Sequence, residues 1–234
     1  MKQIILSFFL IVSNFIWAQI DNGQISYKVV FSENQNNELF LQAKTMSDNL
    51  EYNLIFDKNG SLFSLQKKMI DELEYRYATI LAGEKLIHQD LQTKTLTFNN
   101  SEYSLTMKKD EFLLTDSINS NWKLFQESKI IGSYTCYKAT TSFIVHNSKG
   151  TFTNHVTAWY CPQIPFGYGP AGYGGLPGLI LELQVKDILY GAVSINFNQP
   201  NIIVKKPSKG KKIALDDFTK ISQERSELYR KGKN

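Results

Sequence analysis

Apolar and aromatic side chains recur along this chain at every second position, in short runs that Gly, Pro, Asn, Asp or Ser interrupt. That alternation is the pattern of strands with one face buried and one face wet. The runs predict strands over 24–31, 39–47, 52–56 and 61–65, with Asp57-Lys58-Asn59-Gly60 as the loop of a hairpin. Further runs at 75–81, 85–89, 93–98, 103–107 and 111–114 continue the meander, and 122–125 with 129–131 lead into a long hairpin. Two last strands are expected over 179–185 and 188–197. No stretch has the length and period of a βαβ crossover. The expectation is a mostly β protein: about twelve strands in one large curved antiparallel sheet, half-barrel or bowl-like, with a short C-terminal helix.

The long hairpin carries the most detailed expectation. Residues 134–145 and 151–161 are rich in β-branched and aromatic side chains, and His146-Asn-Ser-Lys-Gly150 between them is a turn-forming cluster. A symmetric turn places Lys138 opposite Trp159, Val145 opposite Phe152, and Cys136 opposite Cys161. Tyr137, Ala139, Thr141, Phe143 and Val145 then share the more apolar face with Phe152, Val156, Ala158 and Tyr160, which makes that face the core side. Lys138 and Trp159 are expected as a cation–π pair on the other face.

Composition adds a compartment. Residues 1–18, MKQIILSFFLIVSNFIWA, put one Lys ahead of an apolar run too short for a bilayer span, and Ala18 before Gln19 suits cleavage. We therefore expect a signal peptide over 1–18, a β domain over 19–200, and a basic linker and helix over 201–234. The export implied places the protein in the periplasm, at the cell surface or outside the cell. It also lets Cys136 and Cys161 form a disulfide, with two buried thiols as the alternative. From Lys205 onward ten Lys and Arg face four Asp and Glu. Residues 205–212 read as a solvated linker, and 216–230 as a helix capped by Asp216, with Phe218, Ile221, Leu228 and Tyr229 on its apolar side. Such a tail suits contact with an anionic surface or plain solvation.

Chemistry-bearing motifs are scarce. Cys161 to Ile180 reads CPQIPFGYGPAGYGGLPGLI and holds four of the six prolines and six of the fourteen glycines. Its Gly167-x-Gly169-x-x-Gly172 mimics a dinucleotide fingerprint, but Pro170 removes a backbone donor and no helix pattern follows. No zinc spacing, GxSxG or SxxK is present, and His88, His146 and His155 sit among polar strand and turn residues. No catalytic residue, metal ligand or cofactor is assigned, and neither a nucleic-acid motif nor a transmembrane segment is expected.

Gly175-Leu-Pro-Gly-Leu-Ile180 resembles the signature of the GLPGLI family of exported Bacteroidetes proteins. The surrounding Trp122-Lys-Leu, Lys129-Ile-Ile-Gly132, Tyr134-Thr-Cys-Tyr-Lys-Ala139, Ala158-Trp-Tyr160 and Gly169-Pro170 fall in that family's order. The resemblance implies an exported β-rich protein and carries no activity. Cys161 departs from the family, where Thr is common, so a bridge would belong to this chain alone. At the level of fold the pattern is also similar to the half-barrels of periplasmic lipoprotein carriers and the bowl-shaped β domains of secreted enzymes.

Three roles fit. The first is a binding or accessory module of the envelope for an apolar small molecule or an envelope protein, with Phe166, Tyr168, Tyr173 and Leu176 on the 166–178 loop and Trp159 as contact residues. The second is a secreted hydrolase using His88 or His155, and the third a structural envelope protein. A loop that serves as a binding lip exposes its aromatics, whereas one that plugs the end of the sheet buries them.

Overall fold

The computed structural model describes residues 19–32, 38–70, 72–84, 86–147 and 150–232. The expected signal segment 1–18 and the hairpin tip at 148–149 lie outside the described residues. One open sheet of twelve strands organises the fold, in the order β12-β6-β5-β4-β3-β2-β1-β11-β10-β9-β8-β7. In chain order these are β1 (Asn22–Phe31), β2 (Glu51–Asp57), β3 (Ser61–Leu65), β4 (Ile87–Asp90), β5 (Thr95–Asn99) and β6 (Phe112–Ser117). They continue as β7 (Lys123–Ile131), β8 (Tyr134–Asn147), β9 (Gly150–Cys161), β10 (Leu179–Val185), β11 (Ile188–Phe197) and β12 (Lys211–Ala214). All neighbours run antiparallel except β12 and β6, which are parallel.

Local chemistry accounts for the registers. In the β2–β3 loop the Asp57 carboxylate accepts the backbone N–H groups of Asn59 and Gly60 at 2.7 and 3.1 Å, a side-chain-closed turn that fixes the pairing of Phe56 with Ser61. The β8–β9 hairpin has the expected register, with Lys138 opposite Trp159 and Val145 opposite Phe152. Ala139, Val156 and Ala158 are fully buried on the core side, as the alternation requires.

Six expectations are corrected. Residues expected as a strand over 39–47 form helix α1 (Glu38–Thr45), and those over 75–81 form α2 (Leu73–Ala82). The buried positions of α2 are Tyr75, Ala78, Thr79 and Ala82, spaced i, i+3, i+4 and i+7, so one helical face meets the core. Residues 103–107 form turns rather than a strand, because the Ser101 and Ser104 hydroxyls accept the N–H groups of Tyr103 and Thr106 and curl the chain locally. The runs at 122–125 and 129–131 are one strand, β7, with a register shift between Leu124 and Ser128. Finally, 211–214 of the expected linker forms β12, and helix α3 (Leu215–Lys231) has Ala214 rather than Asp216 at its N-cap.

The main core gathers β1, β2, β3, β8, β9, β10 and β11 with α1, α2 and the Gly/Pro segment. Residues far apart in the sheet meet there. The Gln89 amide on β4 donates to Tyr173 O at 3.0 Å, and the Trp122 indole N–H, just before β7, donates to Gly174 O at 2.9 Å. Since β4 and β7 stand eight places apart in the strand order, the sheet curls so that both regions grip one loop. A smaller core of Phe98, Met107, Phe112 and Leu114 receives Phe218 and Ile221 from α3.

Candidate functional site

The 162–178 segment runs through the curl of the sheet in the plug arrangement. Tyr168 and Leu176 are only 4% exposed, and Ile164, Leu179 and Ile180 are fully buried. The Phe56 ring meets Phe166 at 4.7 Å and Tyr168 at 6.1 Å between centroids, while Tyr173 stands edge-on to Trp122 at 6.2 Å. Burial pushes the phenols of Tyr168 and Tyr173 up to about 12. The glycines serve this packing rather than a phosphate. A Cβ on Gly178 would sit 2.2 Å from Cys161 O, at φ +156°, and one on Gly174 would sit 2.7 Å from Gly167 O. Gln89, fully buried, completes the frame by accepting the Ser61 hydroxyl at 3.1 Å.

Thus the structure brings Phe166 and Tyr168 together against Phe56, puts Tyr173 on the Trp122 side, and leaves Trp159 apart on the other face of the β8–β9 hairpin. The Lys129 ammonium lies 4.5 Å from the Trp159 ring centre and 2.6 Å from Glu182, with the Lys138 ammonium at 5.9 Å from the same ring. The expected Lys138 contact is present, but Lys129 is the closer cation.

The disulfide is corrected: Cys136 and Cys161 are free, fully buried thiols. The Cys136 thiol donates to Tyr134 O and the Cys161 thiol to Gln163 Oε1, both at 3.8 Å, and the interaction between the two sulfurs raises Cys136 and lowers Cys161 to about 7, helped by the N–H groups of Gln163 and Ile164. A thiol pair satisfied in this way has no orphaned polar group. The histidines lie apart from one another along the sheet: His88 on β4 is 6% exposed, and His155 on β9 faces Ser142.

The open space around the plug lies beside α2, where no sequence motif pointed. Phe63, Ile80, Leu81, Ala82, Gly83, Ile87, Ala171 and Tyr190 surround a cavity of about 380 Å³. Ala171 presents its methyl from a left-handed conformation at φ 53°, a strained position for a residue with a side chain. The Tyr190 hydroxyl donates to Ala82 O at 2.6 Å and ties the end of α2 to β11. Ile80 and Leu81 remain 46% and 42% exposed at the mouth. An adjoining cavity of about 430 Å³ shares Glu84 with the first and is lined by Lys67, Lys68, Tyr75, Arg76, Glu102 and Lys109. Sequence reasoning missed both because it read α2 as a strand, although the spacing of Tyr75, Ala78, Thr79 and Ala82 was there to be seen. Among the described residues no cluster of three or more His, Cys, Asp or Glu suits a metal, and no helix is long and apolar enough to cross a membrane.

Comparison with known proteins supports the fold and says little of activity. No curated protein matches the chain. Two solved structures of PNGF-II, in the P21 and C2 space groups, align with TM-scores of 0.55 and 0.54 at 16% and 15% identity, covering 88% of this chain. This chain spans about a third of theirs, 34% and 33%. The crystal structure of LprF from Mycobacterium bovis aligns with a TM-score of 0.27 at 8% identity, over 81% of this chain and 89% of that one. Residues 146–182, from the end of β8 through the plug into β10, match the family described as protein of unknown function (Porph_ging).

Proposed function

We propose that this protein is an exported accessory module of the cell envelope, of the GLPGLI type, that binds a small molecule with an apolar body. The observation that carries the reading is the 380 Å³ cavity between α2 and the plug, walled by Phe63, Ile80, Leu81, Ile87, Ala171 and Tyr190. Its walls are mostly apolar and its mouth leaves Ile80 and Leu81 half in solvent, the form of a site that takes apolar surface out of water. The plug supports it from behind by fixing Ala171. Phe166, Tyr168, Tyr173 and Leu176 then serve the site by holding its wall rather than by touching the ligand. The likeness to a third of PNGF-II supports the accessory part, since a fold of this kind there forms one portion of a longer chain. Exposed lysines of the tail, such as Lys209 and Lys211, are free to rest on an anionic surface while α3 stays docked.

The test is native mass spectrometry of the protein taken from the envelope of producing cells, with solvent extraction of what accompanies it. It is paired with titration of the fluorescent apolar dye N-phenylnaphthylamine. The expected results are a stoichiometric apolar compound and dye binding that Ile80→Arg weakens at least tenfold. An apo mass together with absent dye binding overturns the reading.

A further inference from the structure

The cavity next to the apolar one carries a charge pattern that the apolar reading leaves unused. Lys67, Lys68, Arg76 and Lys109 line it against only two carboxylates, Glu84 and Glu102. Glu102 shows what this wall does to an anion. Lys67 and Lys109 both bind it, Lys109 at 3.0 Å, and Lys67 is the main cause holding its carboxyl below the usual range. One carboxylate is therefore shared by two ammonium groups, and Lys67, Lys68 and Lys109 outnumber Glu84 and Glu102 in the lining of this cavity.

Behind the apolar cavity's wall lies a buried polar group. The Tyr52 hydroxyl is buried with no hydrogen-bond partner among the described residues. Its ring is stacked on Phe63 at 5.0 Å and edge-on to Tyr190 at 5.9 Å, and both of those line the apolar cavity. Burial raises its phenol, and the other groups that act on it are Tyr190, Tyr75 and Glu84, drawn from the walls of the two cavities.

We propose that the two adjoining cavities form one site for a single-chain carboxylate amphiphile, a fatty acid. Its hydrocarbon lies between Phe63, Ile80, Ile87 and Ala171, and its carboxylate lies against Lys67, Lys68 and Lys109. Charge complementarity selects this occupant: a neutral apolar molecule leaves the cationic half unmatched, and a small inorganic anion leaves the apolar half empty. The proposal rests on the binding function inferred above and adds the head group to it.

The test titrates decanoate and 1-decanol, which differ only at the head, against the full chain preloaded with N-phenylnaphthylamine. Decanoate is expected to displace the dye about tenfold more tightly than decanol at low salt, an advantage that added salt reduces. Lys67→Gln with Lys109→Gln removes that advantage and leaves decanol binding unchanged. Glu102→Gln, which leaves both lysines in place and removes their internal anion, tightens decanoate binding. Equal binding of the two probes, or tighter binding of decanol, overturns the head-group assignment and leaves the apolar site standing. If neither probe displaces a dye that does bind, the assignment of the cavity itself fails with it.

Discussion

His88 is a buried histidine, and it makes stability depend on pH. It projects from β4 with 6% exposure, and its Nδ1 has no hydrogen-bond partner among the described residues. A Cβ built on Gly60 would come within 3.0 Å of its Nε2. Burial lowers its pKa from 6.5, and Lys206 adds to the lowering. The unfolded chain therefore takes up this proton before the folded chain does. The stabilising difference is fully present above the unfolded value and is lost as pH falls through it toward the folded one. Urea midpoints are expected to fall between about pH 7 and pH 5, and His88→Gln should flatten that slope. An unchanged slope in the variant would show that the loss comes from elsewhere. At this scale the sequence was a partial guide. It showed that His88 lies on a strand, but whether that face is wet depends on β3 and Gly60 across the sheet, which a local pattern does not contain.

At the scale of elements, the C-terminal segment shows how a charged tail becomes part of the fold. β12 pairs Lys211 with Phe112 and Ile213 with Leu114, closing the β6 edge that would otherwise expose unpaired backbone groups. Helix α3 then lays Phe218 edge-on to Phe112 at 5.6 Å, and Arg225 binds Glu111 at 2.8 Å and Thr106 O at 3.2 Å. Arg225 is the main cause lowering the Glu111 carboxyl. The Arg225 side chain is 37% exposed, so water screens its ion pair and its contribution to stability is small. Arg225→Ala is expected to speed amide exchange across 215–231 while leaving the exchange of β1, β2 and β11 as it was. Faster exchange in those central strands would mean that α3 supports the whole sheet. The helix α3 was legible from its spacing, with Phe218 and Ile221 on its packed side, whereas Leu228 and Tyr229, expected on that side, are exposed; β1, β2, β3 and the β8–β11 block were legible too. β12 was not, because four residues following a run of lysines become a strand only when a neighbour's edge is available. The helices α1 and α2 were read as strands for a related reason. Both are short, and runs of apolar residues that brief fit either period until the packing surface is known.

The whole molecule depends on a curl that no single strand specifies. An open sheet of twelve strands must bend to bury its inner face, and here one loop is held from both sides of the bend. Gln89 holds it through Tyr173 O and the Trp122 indole through the adjacent Gly174 O. The sequence displayed the loop as its most unusual segment and left open whether it lines a site or fills a core. Only the curl decides that, by bringing β4 and β7 to one place. The arrangement predicts coupling between residues at opposite ends of the sheet. Gln89→Leu removes the acceptor of the Ser61 hydroxyl and the donor to Tyr173 O, leaving buried polar groups unpaired at a cost of about 2–4 kcal/mol. Trp122→Phe removes the indole donor and costs about 1–2 kcal/mol. If each acts by loosening the same loop, the second change finds part of its work already done. The double variant should then be more stable than the sum of the singles predicts, by about 0.5–1.5 kcal/mol in urea unfolding. Strict additivity would mean that the two ends of the sheet are independent and that the loop fills space without joining them. A positive coupling identifies the loop as the tie that holds the curl, and with it the wall at Ala171 on which the proposed site depends.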